Sequence, residues 1–399
     1  MPQLIEPRCP YFGTCGGCSL QHIPYGEQLE MKRMDVRDNM EKQGVTGVEI
    51  YPTLGMKEPW FYRNKIQFPI RSQNGQLQMG YFKKQTHEVV NIKECYIQNP
   101  FLTEIAQIAC KIFEERELTA YDEQTGKGLL RHFIGRSGFQ SNELLLGIVV
   151  NAKGLPAGFT VANEIKKQER LMHRQVTRHA DYPEFPEKPR IAGIIQNSNI
   201  RRDNVILGEF DTKLFGSAFM KDRLGNYQFK VHLQSFYQVN PSQAIRLYNL
   251  IVKLADLHDS ELVVDAYAGI GPIAIWLAKK ADKVIGIEPV AAAVKDAKEN
   301  IRLNKLANVE MLLGRVEDSL PKNADVIVLD PPRAGCSDKA IKAVVRAKPG
   351  KIIYVSCNPQ TLARDIKILM DYGFKADFLQ PLDMFPQTEH VEVVARLTR

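Results

Sequence analysis

Leu262-Val263-Val264-Asp265-Ala266-Tyr267-Ala268-Gly269-Ile270-Gly271 is the stretch that decides the fold of this chain. A short β-branched run ends in an acidic residue and two spaced glycines, and a helical run from Pro272 to Lys280 follows. Strand, glycine turn and helix in that order let a ligand approach the backbone at a helix N-terminus. Twenty-three residues after Asp265, the predicted strand Lys283 to Ile287 ends in Glu288. An acidic residue at that place accepts hydrogen bonds from ribose hydroxyls. Gly271 is followed by Pro272, and the third glycine of a dinucleotide fingerprint does not arrive. The pattern points away from NAD and toward a nucleotide-type ligand without a pyrophosphate.

Further strands follow. Ala324 to Leu329 delivers Asp330-Pro331-Pro332-Arg333, and Lys351 to Val355 delivers Ser356-Cys357-Asn358-Pro359. Short apolar runs of this kind are the buried strands of a parallel sheet, whose carboxyl ends are where open α/β sheets bind ligands. A lone cysteine is most often a packing residue, and a glutamate is mostly solvated. Cys357, however, closes the fourth strand to deliver chemistry to one rim, and Glu392 follows about one strand later. A thiolate and a carboxylate so placed can act as nucleophile and proton acceptor.

Ser235-Phe236-Tyr237-Gln238-Val239-Asn240, Asp265-x-Tyr267-x-Gly269-x-Gly271, Glu288, Asp330-Pro331-Pro332-Arg333, Ser356-Cys357-Asn358-Pro359 and Phe385-Pro386-Gln387-Thr388-Glu389-His390-Val391-Glu392 occur in that order. Together they resemble the class I S-adenosylmethionine-dependent RNA (uracil-5-)-methyltransferase family, over nearly the whole chain. The resemblance implies an α/β fold: a Rossmann-like methyltransferase domain plus a central β-rich (α+β) RNA-binding domain with an iron–sulfur loop. It implies Cys357 as nucleophile and Glu392, rather than nearby Glu389, as base. Gln238, Tyr267, Gly269, Gly271 and Glu288 would meet the cofactor, with Asp330 between cofactor and target base. Phe236 would stack on that base, and Arg63 and Lys65 would lie near the RNA backbone. The chemistry gives these residues a common purpose. Carbon 5 of uracil is too electron-poor to attack a sulfonium methyl directly. Thiolate addition at carbon 6 makes carbon 5 nucleophilic, and a base must then remove its proton so that the cysteine can leave.

Seven cysteines are present, and four form Cys9-x5-Cys15-x2-Cys18 closed by the remote Cys95. Met1 to Pro10 lacks the apolar core of a signal peptide, and no apolar run approaches the roughly 18 residues of a membrane span. A cytoplasmic location is therefore expected, with metal binding rather than disulfides. Structural zinc usually takes two close pairs of ligands, whereas three clustered thiolates plus one remote suit an iron–sulfur cluster. The resemblance includes members with a 4Fe–4S cluster on this spacing; zinc is the alternative. Cys110 reads as core, and Cys336 has no assigned role.

The 399 residues are 44% hydrophobic and 25% charged, with a net charge of +7, the profile of an ordinary folded protein with a mild basic excess. Residues 236–399 carry 22 Lys and Arg against 20 Asp and Glu, so most of the excess falls on the front half, where it is compatible with phosphate contacts. Helices are predicted over Gln21 to Gln43 and Val161 to Arg178, and strands over Trp60 to Phe68, Leu144 to Val150, Ile191 to Ile195 and Asn204 to Gly208. A proline-rich connection spans Pro183 to Pro189. The resemblance places residues 1–20 with a central domain of 53–235, residues 21–52 against the catalytic domain, and the catalytic domain at 236–399. Many relatives begin with a small RNA-binding β-barrel, which is not expected here. The expected substrate is a uridine of 23S ribosomal RNA, with the T-loop uridine of transfer RNA as alternative, acted on by a monomer. An amino-methyltransferase and a non-catalytic iron–sulfur RNA-binding protein are the competing readings.

Overall fold

The computed structural model describes residues 4–177, 188–258 and 260–399. Two seven-stranded sheets organise the chain. The first contains β1 (Lys65–Gln73), β2 (Gln76–Phe82), β3 (Val89–Asn91), β4 (Leu130–Ser137), β5 (Glu143–Val150), β6 (Arg190–Ser198) and β7 (Phe210–Gly216), in the order β3-β2-β1-β4-β5-β6-β7. Only β5 and β6 pair in parallel; the other neighbours are antiparallel. β4 and β5 are buried along their whole length, because both faces of the sheet are covered. On one face lie α2 (Pro100–Glu115), α3 (Gly158–Lys167) and α4 (Glu169–Thr177). α2 starts with Pro100 in its first turn and the Asn99 side chain accepting from the Phe101 N–H at 3.0 Å, which satisfies one of the free donors of a helix start. The hairpin β8 (Phe219–Leu224) and β9 (Tyr227–His232) covers the other face.

The second sheet contains β10 (Leu262–Ala266), β11 (Lys283–Glu288), β12 (Val309–Leu313), β13 (Val326–Leu329), β14 (Lys351–Ser356), β15 (Lys375–Leu382) and β16 (Glu392–Thr398). Its order is β12-β11-β10-β13-β14-β16-β15, parallel through β14 and antiparallel in the last two pairings. The order reverses between β10 and β13, the switch point where such sheets open a ligand crevice. Around the sheet pack α5 (Pro241–Ala255), α6 (Pro272–Leu277), α7 (Ala291–Leu303), α8 (Val316–Ser319), α9 (Asp338–Ala347) and α10 (Pro359–Asp371). One apolar core runs from Ile134, Leu145 and Ile195 of the first sheet through Met220 and Phe229 of the hairpin to Val263, Val328 and Ile353 of the second. The two sheets therefore share a core through the hairpin and α5.

α1 (Tyr25–Lys42) lies against α10 and β15, with Val36 and Met40 in the core beneath the second sheet. Lys32 and Asp383 form a salt bridge with almost no solvent exposure, and the Tyr25 hydroxyl donates to Asp383 at 2.7 Å.

Several local expectations shift. Asn204 to Gly208 forms no strand. Buried Asn199 donates to the carbonyls of Val205 and Ile206 at 2.6 and 2.9 Å, so side-chain bonds replace a ladder there. Trp60 to Asn64 precedes β1 as irregular chain, and the long helix after Val161 is divided at Gln168. Arg178 and residues 183–187 of the proline-rich connection lie outside the described residues. Among the described residues, no helix is long and apolar enough to cross a membrane.

Candidate active site

The crevice at the switch point is built from backbone turns. Tyr267, Gly269 and Gly271 all have positive φ, at 68°, 56° and 87°, so the chain after β10 coils back on itself before α6. Glycine takes that conformation without strain, and Tyr267 takes it in its absence. The Glu288 carboxylate fixes the turn from the neighbouring strand, accepting from the N–H of Gly269 at 3.0 Å and of Val290 at 2.9 Å. Each carboxylate oxygen retains a second acceptor site, as a ribose diol requires. Buried Asp265 accepts from the Ala274 N–H at 2.8 Å, while its other oxygen has no partner within the protein. Burial, then Asp330, raises the Asp265 pKa well above the carboxylate range. Gln238 is buried, its backbone carbonyl accepting from the Asn64 amide at 2.9 Å. The crevice suits an adenosyl-type ligand.

Next to it, the ends of β13, β14 and β16 converge. Asn358 caps α10, accepting from the Gln360 N–H at 3.1 Å, and its side-chain amide donates to the Arg333 carbonyl at 3.1 Å. Thr361 donates to the same carbonyl at 3.2 Å. The loop carrying Asp330 to Arg333 is thereby laced to the loop carrying Cys357. A cleft of about 200 Å³ opens there, lined by Cys357, Arg333, His390, Glu389 and, from α1, Asp35. The Cys357 thiol is half-buried. Burial raises its pKa, Glu392 and Asp330 add to that, and a hydrogen bond from the Arg333 guanidinium opposes it. Glu392 is buried whereas Glu389 is exposed. Burial first, and the Asp330 charge second, hold the Glu392 carboxyl well above its ordinary range, with Arg333 pulling the other way. Burial likewise raises Asp330. Each of two neighbouring carboxyls disfavours ionisation of the other.

Arg333 and His390 line this cleft and Asp265 the neighbouring crevice, and sequence reasoning left all three without roles. Arg333 approaches His390 Nδ1 at 3.3 Å, so one guanidinium serves both the thiol and the imidazole. Its signal lay in plain sight at the end of Asp-Pro-Pro-Arg. Cys336 also gains a place. Its N–H donates to buried Asp365 at 2.7 Å, and Asp365 accepts from the Tyr354 hydroxyl at 2.5 Å, a network that supports the floor of the site.

Phe236 is 70% exposed although Ser235 and Tyr237 on either side are buried. Ser235 is tied to Asp296 at 2.9 Å and Tyr237 to Asp222 at 3.2 Å, so the ring between them is pushed outward. Arg63 and Lys65 are not free surface cations. Arg63 is walled in; burial lowers its pKa, but the phenols of Tyr62 and Tyr81 reverse that and hold it raised. Its charge is felt at Cys15 and Cys18 on one side and at His390 on the other. Lys65 is pushed down to about 7, by burial and then by the charge of Arg136, its partner across β1 and β4.

The cysteine region lies against β2. Cys15 forms a bridge with Lys83, and the Gly17 N–H donates to Cys15 Sγ at 3.3 Å. Burial raises all four thiols, and Cys95 also feels Cys18, Cys9 and Cys15. The four therefore face one region, and an N–H aimed at sulfur suits a ligating thiolate. Among the described residues, no three His, Cys, Asp or Glu side chains gather closely enough to hold a metal ion.

Comparison with known proteins agrees with this geometry. The family described as tRNA (Uracil-5-)-methyltransferase matches residues 315–399, and that described as Methyltransferase small domain matches residues 247–347. An RNA methyltransferase of Bacillus cereus is 40% identical over 99% of this chain and 84% of its own length. One from Clostridium acetobutylicum is 36% identical over the same shares. Among solved structures, the Pyrococcus abyssi tRNA (uracil-54, C5)-methyltransferase bound to S-adenosyl-L-homocysteine superposes with a TM-score of 0.75. It is 28% identical and covers 97% of this chain and 86% of its own. Sequence and architecture agree on the same assignment: the chain belongs to the S-adenosylmethionine-dependent RNA (uracil-5-)-methyltransferase family.

Proposed function

We propose that this enzyme methylates carbon 5 of a specific uridine in 23S ribosomal RNA through a covalent bond between Cys357 and the base. The observation that carries the reading is the meeting of half-buried Cys357 with buried Glu392 across Asp330 and Arg333. S-adenosylmethionine, when bound, supplies the electrophilic methyl group. Arg333 stabilises the Cys357 thiolate, which adds to carbon 6 of the uracil ring. The ring must leave its stack for this, because the thiolate approaches the face that stacking covers. Exposed Phe236 offers that flipped base a stacking surface. After methyl transfer, Glu392 takes the proton from carbon 5; the electrons of that C–H bond re-form the ring double bond and expel Cys357. A carboxylate whose pKa has been raised is the stronger base for that step. Glu288 and the turn at Gly269 and Gly271 hold the adenosyl moiety, with Gln238, Tyr267 and Asp330 completing the pocket.

Cys9, Cys15, Cys18 and Cys95 would hold a 4Fe–4S cluster in preference to zinc. Three clustered thiolates and one remote suit such a cluster better than the two close pairs usual for structural zinc. Arg63, set between this region and His390, would transmit the position of the cysteine loop to the catalytic cleft.

The T-loop uridine of transfer RNA is the second reading, favoured by the likeness to the Pyrococcus abyssi enzyme. Methyl transfer from labelled S-adenosylmethionine to unmodified 23S ribosomal and transfer RNA, assayed in parallel with nucleoside mass spectrometry, separates the two. 5-Methyluridine in ribosomal RNA alone supports the first reading, and in transfer RNA alone the second. Methylation of any other base overturns both.

A further inference from the structure

α7 carries Lys295, Lys298 and Arg302 at intervals of three and four, so the three project from one helix face, and Lys305 follows just past the helix end. All four are exposed. Two glutamates lie beside them, but both are engaged: Glu299 pairs with Lys230 at 3.2 Å and Glu310 with Lys283 at 2.8 Å. Lys298 contributes to the field at Glu310 without displacing Lys283. Six cations thus meet two carboxylates on this flank, in a protein whose whole net charge is +7. Among the described residues, none of these four cations forms a salt bridge. Open concavities of about 550 and 370 Å³ run along the helix between them.

The flank is joined to Phe236. The opposite side of α7 presents buried Asp296, which accepts from the Ser235 hydroxyl at 2.9 Å and meets His232 Nδ1 at 3.0 Å. Ser235 immediately precedes the exposed Phe236 ring. Lys230, on the strand that leads there, lies over the Phe219 ring at 4.8 Å. α7 is thus packed, through Asp296, against the segment that carries the base-stacking ring.

We infer that the α7 face formed by Lys295, Lys298 and Arg302, with Lys305 at the helix end, is a docking surface for the phosphate backbone of the substrate RNA, outside the catalytic cleft. The inference deepens the proposed function, resting on RNA as substrate and on Phe236 as the point where the flipped base leaves the helix. Unpaired cations at regular spacing neutralise successive phosphates and release condensed counterions. The surface carries no aromatic reader, so it positions RNA rather than reading its sequence. RNA long enough to reach α7 therefore binds more tightly than a short hairpin around the target uridine.

The test is binding of an unmodified 23S ribosomal RNA transcript over a salt series, for wild type and for K298E/R302E. Both side chains are exposed and outside the catalytic cleft; a thermal unfolding curve and a titration with S-adenosylmethionine check that fold and cofactor site are intact. If both are, the variant binds the transcript several-fold more weakly, with a logarithmic salt slope shallower by about 1.5, from roughly 0.7–0.9 per lost phosphate contact. The milder K298A/R302A pair, with smaller effects in the same direction, serves if the charge reversal disturbs folding. Unchanged affinity and slope overturn the proposal, and so does weaker binding with an unchanged slope. Should wild type form no 5-methyluridine, the reaction assignment fails, while the salt slope still tests this surface.

Discussion

Gln28 and Gln387 exchange two hydrogen bonds in the interior. Gln28 Nε2 donates to Gln387 Oε1 at 3.0 Å, and the Gln387 N–H donates to Gln28 Oε1 at 3.2 Å. Gln387 has a φ of 68° and opens the turn that leads to His390 and Glu392. α1 thus holds a left-handed residue in place just before Glu392, the proposed base. Gln28→Ala leaves the buried Gln387 amide short of partners, which costs about 1–3 kcal/mol in a denaturant unfolding curve. It also loosens the turn, so kcat falls by about tenfold to a hundredfold while the affinity for S-adenosylmethionine, measured calorimetrically, stays unchanged.

Covalent catalysis makes a sharper prediction. Cys357→Ala abolishes methyl transfer, and RNA containing 5-fluorouridine at the target traps wild-type Cys357 as an adduct visible by denaturing gel and mass spectrometry. Glu392→Gln accumulates the same kind of adduct with ordinary RNA, because carbon 5 keeps its proton. Rapid turnover by that variant removes Glu392 from its role.

The raised carboxyl of Glu392 has a consequence for stability. It binds its proton more tightly in the folded than in the unfolded state, so protonation stabilises the fold. Below the unfolded value, about 4.3, both states hold the proton and nothing is gained or lost. As pH rises from there toward the raised folded value, wild type loses stability that Glu392→Gln retains. Thermal unfolding of the ligand-free proteins then shows the variant more stable at neutral pH, with the difference vanishing in acid.

Removing Glu288 disassembles the adenosyl pocket. Glu288→Ala frees the Gly269 and Val290 N–H groups together and removes the ribose acceptor. Binding of S-adenosylmethionine weakens by about 1.5–3 kcal/mol, the range for hydrogen bonds to a charged group. RNA binding measured without cofactor is unaffected.

If the cysteine site holds a cluster, protein purified without oxygen contains about four iron atoms per chain and a broad visible absorbance. Cys95→Ala loses both. A zinc stoichiometry near one without iron would replace the cluster with the alternative metal.

The second sheet was readable because its strands are short β-branched runs, each ended by glycine, proline or a polar residue at the rim. Asp265, Glu288, Asp330 and Cys357 announce themselves by standing where those runs stop. Asn204 to Gly208 deceived for the opposite reason: it has strand-like residues, but Asn199 supplies the hydrogen bonds a ladder would have made. Arg63 and Lys65 looked like surface cations on an alternating strand, and only packing reveals how deeply each is enclosed. No local pattern could disclose the pairing of Gln28 with Gln387, whose partners are 359 positions apart.

The salt bridge of Lys32 with Asp383 joins positions 351 residues apart, which sets the order of events during synthesis. A ribosome adds about 5–20 residues per second, so α1 waits at least tens of seconds for its partner. Throughout that interval Lys32 is an ordinary solvated amine, and the wall of the catalytic cleft that α1 supplies has nothing to close against. On the proposed mechanism, a nascent chain that has not yet made Asp383 cannot close this wall on a uridine at Cys357, and methylation waits for the segment that follows.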